Sequence, residues 1–339
     1  MSETLTLGKA LNLGLRRSME RDPKVLIMGE DVGKLGGVFR ITDGLQKDFG
    51  ENRVIDTPLA ESGIVGTAVG LAIRGYRPVC EIQFDGFVYP AYNQIVSQVA
   101  KLHYRSGGRL RMPIVIRIPF GGGIGAVEHH SESPEAYFAH TAGLKVVSCA
   151  TPDDGYWMIQ QAITSDDPII FFEPKRRYWE KGEVAVDSTL EDRYPLHAAR
   201  VVRPGTDLTV VAYGPMVRTA LDAAAAAADE APAADGSTAG AGRSLEVIDL
   251  RSLSPLDLEP VYASVRRTGR LVVVHEGPSN VGLGAEIAAR VTEHCFYSLE
   301  SPVLRVAGFD TPYPPARLEE EYLPDLDRIL DAADRSFGW

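Results

Sequence analysis

The sequence predicts an α/β protein in two parts: a doubly wound, mostly parallel sheet, then a second, smaller α/β domain. Three observations carry this. Short apolar runs suited to buried strands, such as Val25–Met28 and Pro113–Ile118, alternate with segments of helical period through the first half. Residues 174–205 hold charges, prolines and aromatics without periodicity, and the alternation restarts at Leu208. The expected domains are therefore 1–190 and 207–339, joined by a linker over 191–206. A chain of 339 residues has room for two domains of roughly 150 residues each.

Composition narrows the class. Hydrophobic content of 45% with 24% charged residues describes a soluble globular chain. A net charge of −11 argues against nucleic acid as the main partner and leaves room for a basic protein. Cys80, Cys149 and Cys295 are far apart, which excludes a thiolate zinc site and a disulfide scaffold and fits a reducing cytosol. The first residues lack the pattern of a leader, and no run of about 18 apolar residues occurs. The expectation is a cytoplasmic protein with no membrane segment.

Taken in order, Leu7, Ala10, Leu11, Leu15 and Met19 predict a helix over 6–20. Val25–Met28 is a strand, and Glu30 follows its carboxyl end, where open α/β sheets bind ligands. Gly33, Gly36 and Gly37 lead to a helix near 41–49. Val54-Ile55 is a short strand ending at Thr57-Pro58, and a helix starts close to Glu61. Gly63, Gly66 and Gly70 then share one helix face. Each helical glycine is about 1 kcal/mol worse than alanine, so three on one face imply close approach of another backbone or a planar ligand. Glu61, beside Leu59 at the mouth of that face, is either a first-turn charge or a functional acid.

A strand over 78–82, a helix over 89–102 and a strand over 113–118 come next, the last opening into Gly121, Gly122, Gly123 and Gly125 before His129-His130. A helix (134–140), a strand (144–148), a helix begun by Thr151-Pro152 and a strand (168–173) complete the first half. In the second, strands are expected at 208–213, 245–249, 271–275 and 303–306, with helices at 216–230, 258–268, 284–295 and 319–333. Ala231 to Gly242 reads as a low-complexity surface loop.

Several familiar signatures fail. The glycine run is not a P-loop, no dinucleotide fingerprint opens a helix, and GxSxG is missing. His129-His130 could bind metal, yet no HExxH accompanies the pair. A loop histidine after a strand remains a candidate for proton transfer or substrate positioning, or is simply a solvated or capping residue.

The motifs GEDV (29–32), DTPLAESGI (56–64), EIQF (81–84), HSESPEA (130–136) and DPIIFFEP (167–174) occur in one order. In these the chain resembles the β subunit of the thiamine-diphosphate-dependent decarboxylase component of 2-oxo acid dehydrogenase complexes, over nearly its whole length. The resemblance implies a pyrimidine-binding domain followed by a transketolase C-terminal-like domain. It implies that Glu61 hydrogen-bonds the aminopyrimidine ring of the cofactor and favours the tautomer that removes the thiazolium proton. Phe87 would stack on that ring, Leu59 would pack near it, and Glu30 would lie in the same cofactor site. His130 would orient the 2-oxo acid and the incoming lipoyl group. The family's structural potassium site, made of main-chain carbonyls, maps to Ile114, Ala162, Ile163, Ser165 and Asp167, with serine at 165 in place of the usual aspartate.

The Gly-Asp-Gly segment that holds magnesium and the diphosphate in thiamine enzymes does not occur. The resemblance therefore implies an α subunit that supplies Mg2+ and the diphosphate site, in an α2β2 heterotetramer, with the glycine face in a subunit contact. The second domain would pair subunits and dock the lipoyl acyltransferase core protein, and the acidic end (Asp327, Asp331, Asp334) suits a basic partner. The segment from His130 to His140 favours branched-chain 2-oxo acids such as 2-oxoisovalerate, whereas Thr57–Ile64 and Phe87 are shared with pyruvate enzymes. A split transketolase-like synthase and a silent scaffold subunit are the competing classes.

Overall fold

Strands that are apolar along their whole length need cover on both faces, and this chain builds two sheets of that kind. The computed structural model describes residues 2–229 and 242–339, so the Ala231–Gly242 expectation lies outside the described residues except at Gly242. In chain order the strands are β1 (Glu3–Thr6), β2 (Val25–Gly29), β3 (Val54–Asp56), β4 (Arg77–Glu81), β5 (Val115–Phe120), β6 (Lys145–Ser148) and β7 (Ile169–Pro174). There follow β8 (Lys181–Val184), β9 (Arg200–Arg203), β10 (Leu208–Ala212), β11 (Leu245–Asp249), β12 (Ser252–Ser254), β13 (Leu271–Pro278) and β14 (Leu304–Gly308).

The first sheet has the order β12-β6-β7-β5-β4-β2-β3 and is parallel from β2 through β7. The second has the order β14-β13-β10-β11-β9, parallel except for the edge strand β9. One compact unit comprises Met1–Gly121, His129–Leu196 and Leu253–Pro255; the other comprises Gly122–Glu128, His197–Ser252 and Leu256–Trp339. Each unit thus borrows a short segment from the sequence of the other. No helix among the described residues is long and apolar enough to cross a membrane.

Several elements differ from the sequence expectation, each for a local reason. Residues 174–205 contain β8, paired antiparallel with β1, and β9, a charged edge strand. Neither carries the apolar signature of a central strand. The helix expected over 89–102 is broken: a 3-10 segment Asp85–Ala91 holds Pro90, and the chain then passes through a single α turn into a π segment, Ile95–Val99. The helix expected over 319–333 divides into Glu319–Tyr322 and Leu326–Phe337, the second begun by Asp325, whose carboxylate accepts from Arg328 N at 2.8 Å. Thr151 caps its helix as expected, its hydroxyl accepting from Asp154 N at 3.2 Å.

Within the first unit the helix Leu7–Arg21 packs on Pro152–Thr164, and Gly14 permits the approach. A Cβ there would lie 2.6 Å from Ile159 Cγ2 and 2.7 Å from the Tyr156 carbonyl. In the second unit the acidic end is partly neutralised: Asp334 pairs with Arg243, Asp331 lies 3.5 Å from Arg335, and the Phe337 ring sits under the Arg243 and Arg270 guanidinium groups at 4.2 and 4.6 Å. In the same unit the glycine loop donates main-chain N–H groups to protein carboxylates. Gly122 bonds Glu276 (3.1 Å), and Gly123 and Gly125 bond the two oxygens of Glu319 (2.8 and 2.9 Å). These amides are satisfied within the protein and do not form a phosphate cradle.

Charge is buried on β4, β5 and β7. Arg117, fully buried, donates to both oxygens of Glu173 (2.6 and 2.9 Å) and to Glu81 at 2.6 Å, and the Tyr178 hydroxyl donates to Glu173 at 2.7 Å. Burial pulls the guanidinium pKa down, but the two carboxylates more than reverse that and hold it charged. For Glu81 burial is the larger influence and pushes its carboxyl up, with Arg117 opposing. Replacing one member leaves uncompensated charge in the core. Arg117→Met is expected to lower unfolding free energy by about 3–5 kcal/mol, measured by urea denaturation; an unchanged midpoint would contradict the network's role.

Candidate active site

The loops that follow β3, β2, β4 and β5, neighbours in the first sheet, carry the residues singled out in the sequence. Thr57 N donates to Gly29 O at 2.9 Å, which extends the β2–β3 pairing by one residue before the chain turns through Pro58-Leu59-Ala60. The helix Glu61–Ile73 begins there without a side-chain cap. Its core face is Ile64, Val65, Ala68 and Ala72. Glu61, at the first helical position, is only 6% exposed, whereas Leu59 is 81% exposed. The glycine face points away from the core: a Cβ on Gly66 or Gly70 would meet nothing within 4 Å. Nothing inside this chain demands those glycines.

Glu30 is buried at the end of β2, close enough to Glu61 for the charges to interact. Burial raises its carboxyl pKa, the Glu61 and Asp31 charges add to that, and the Ala60 backbone amide opposes. Among the described residues Glu30 Oε1 has no hydrogen-bond partner, and neither has the buried Thr57 Oγ1. Gln83, just after β4, donates to Glu30 O at 3.4 Å and to Asp31 at 3.3 Å, tying the β2 loop to the β4 loop.

His130 ends a short 3-10 turn, Glu128–His130, after β5. Its imidazole is stacked on Phe84 (centroids 3.9 Å apart, planes at 9°) and meets the edge of Phe87 at 4.9 Å and 83°. Its Nδ1 is buried with no partner among the described residues, as is Ser131 Oγ. Buried polar atoms are almost always paired in folded proteins, and leaving one unpaired is unfavourable by about 1–3 kcal/mol. Four such atoms, Glu30 Oε1, Thr57 Oγ1, His130 Nδ1 and Ser131 Oγ, lie on the loops after three of these strands. A planar heteroatom-bearing ring and a polar substrate would satisfy atoms of this kind, so the residues present fit such a ligand.

The structure thus brings Glu30 to Glu61, and Phe87 to His130, on one rim of the sheet. Phe84 is the residue that sequence reasoning left out of the site, although it stands in the EIQF motif directly beyond a strand end. Cys80 is buried and its thiol is pushed up to about 12, which removes it as a nucleophile.

Four of the five potassium-site carbonyls already accept hydrogen bonds. Ile114 O accepts from Ile169 N (2.9 Å) and Ala162 O from Ser165 N (3.2 Å). The Arg77 guanidinium donates to the carbonyls of Ile163 (3.1 Å) and Ser165 (2.9 Å), and the Asp167 carboxylate pairs with Lys145 at 2.8 Å. A fixed cationic side chain stands where two of the five carbonyls would meet an ion, so these residues do not fit an open carbonyl cage. Among the described residues no group of three or more His, Cys, Asp or Glu could hold a metal.

Comparison with known proteins places these features in a class. Residues 3–180 match the transketolase pyrimidine-binding domain and residues 197–329 the transketolase C-terminal domain. The fold is also that of a solved split-gene transketolase in an inactive β4 tetramer, with a TM-score of 0.77, 22% identity and 98% of each chain covered. The chain belongs to the family of E1 β subunits of 2-oxo acid dehydrogenases, which are oxidoreductases. It is 63% identical to the pyruvate dehydrogenase E1 component subunit beta of Leifsonia xyli subsp. xyli, covering 99% of this chain and 96% of that one. It is 53% identical to the 3-methyl-2-oxobutanoate dehydrogenase subunit beta of Mycobacterium tuberculosis (99% and 92% covered). Identity to the 2-oxoisovalerate dehydrogenase subunit beta of Pseudomonas aeruginosa is 46% (98% and 95% covered).

Proposed function

We propose that this chain is the pyrimidine-binding half of a thiamine-diphosphate-dependent decarboxylase acting on pyruvate, cytoplasmic and functional only with an α subunit. The observation that carries the mechanism is the set of unpartnered buried polar atoms around Glu61 and His130, in a domain that matches a pyrimidine-binding family. The 63% identity to a pyruvate dehydrogenase subunit favours pyruvate. A second reading, a branched-chain 2-oxo acid, is favoured by the HSESPEAYFAH segment and by the relatives at 53% and 46%. The branched-chain reading expected first from the sequence thus moves to second place.

Bound thiamine diphosphate would supply a carbon nucleophile for the 2-oxo acid carbonyl and hold the electrons released on decarboxylation. The chain's own residues do the rest. Glu61, shielded from water at a helix start, exchanges a hydrogen bond with a ring nitrogen of the pyrimidine and so controls its protonation. Glu30, whose carboxyl pKa is raised by burial and by the Glu61 charge, stands beside that carboxylate. Phe87 and Leu59 offer apolar surface to the ring. His130, fixed between two phenyl rings, aims Nδ1 at the substrate carboxylate or the incoming lipoyl group. The diphosphate and Mg2+ belong to the α subunit, because this chain has no Gly-Asp-Gly segment. In an α2β2 assembly the open glycine face of the Glu61 helix lies against another backbone. The acyl product passes to a lipoyl acyltransferase core.

Three outcomes follow. Glu61→Gln, co-expressed with its α subunit, is expected to lose roughly 100-fold or more in turnover while the assembly elutes unchanged; full turnover would sink the assignment. A Cβ at Gly66 meets no atom within 4 Å among the described residues, so Gly66→Leu should leave the β chain folded by circular dichroism yet prevent its co-elution with the α subunit. The reconstituted enzyme should show a higher kcat/KM for pyruvate than for 2-oxoisovalerate in a decarboxylation assay, and the reverse order would establish the branched-chain reading.

A further inference from the structure

We propose that the buried Asp85–Lys175 ion pair is a positioning device for His130, fixing the main chain on which the imidazole is carried. The proposal rests on the reading of His130 as an active-site residue. Four consecutive residues beyond β4 address the His129–Glu132 segment. The Phe84 ring lies flat on the His130 imidazole. Asp85 Oδ2 accepts the Glu132 N–H at 2.8 Å. Gly86 leaves room for the chain: a Cβ there would lie 2.7 Å from the His129 Cβ and press on the His129 carbonyl. Phe87 closes the other edge of the imidazole. Just after β5, Gly121 N donates to Glu132 O at 2.9 Å, and from the Asp85–Ala91 segment the Tyr89 hydroxyl donates to the Glu132 carboxylate at 3.0 Å.

Asp85 and Lys175 are both fully buried, with Nζ 2.7 Å from Asp85 Oδ1. In the sheet β5 lies between β4 and β7, so a pair formed by the residues beyond β4 and β7 spans the end of β5, the strand whose loop carries His130. A buried ion pair adds little net stability compared with apolar side chains of the same size, so stability alone gives no reason for one here. Geometry does. One carboxylate oxygen is held by the lysine, and the other is thereby aimed at the Glu132 amide. Burial pushes the Asp85 carboxyl up and Lys175 opposes, leaving it raised to about 6.

The test uses the complete α/β enzyme with thiamine diphosphate and Mg2+. Asp85→Ala/Lys175→Met and Asp85→Asn/Lys175→Met both remove the buried charges, but only asparagine keeps an oxygen for the Glu132 amide. With both variants folded and binding cofactor like the wild type, the alanine form is expected to lose roughly 10- to 100-fold in kcat, with KM little changed. The asparagine form should keep most of the wild-type kcat. Where the alanine form does not fold, the kcat deficit of the asparagine form must disappear in a His130→Ala background, as it must for any residue acting through His130. Equal kcat in the two double variants, or a deficit that persists without His130, overturns the proposal. A wild-type assembly that decarboxylates no 2-oxo acid overturns the functional reading, and the proposal with it.

Discussion

Buried charge shared by three adjacent strands is the constraint on which the first unit depends. A buried ion in a parallel sheet needs partners, and here Glu81 at the end of β4 and Glu173 near the end of β7 hold Arg117, inside β5. Arg117 joins β4 to β7 across β5 with three short hydrogen bonds, and Tyr178 closes the cluster. Such a cluster adds little to stability compared with an apolar core but tolerates no loss of a partner. It fixes the relative height of three strand ends, and so the platform from which Phe84, Phe87 and the His130 segment are presented.

Around that platform, side chains are either over-determined or deliberately unsatisfied. The Glu132 peptide group is held on both sides, and the imidazole of His130 lies between two rings. The atoms without partners, in contrast, belong to Glu30, Thr57, His130 and Ser131. This division, rigid support beneath and open polar valence above, is the arrangement expected where a ligand completes the hydrogen bonding.

Much of this was legible in the sequence. Apolar runs marked β2, β5 and β10 because central parallel strands are buried on both faces. The glycines of the Glu61 helix stood out because helices disfavour them, and the structure supplies no internal reason for their presence. Glu61 and His130 follow strand ends and lie within long motifs, so both could be named. What remained hidden depends on side-chain geometry. β8 and β9 are short, charged and at edges, so they carry no apolar pattern. The π segment Ile95–Val99 keeps nearly helical spacing and reads as ordinary helix. Phe84 looked like part of a strand motif, and only the folded chain places its ring against His130. Arg77 gave no sign that its guanidinium would occupy the carbonyls of Ile163 and Ser165.

The central claim is that this chain carries half of a cofactor site and that a second chain completes it. Calorimetric titration of thiamine diphosphate with Mg2+ into the purified β chain, and into the α/β assembly, tests it most directly. No saturable binding is expected to the β chain alone, and tight, stoichiometric binding to the assembly. Tight binding to the β chain by itself would contradict it.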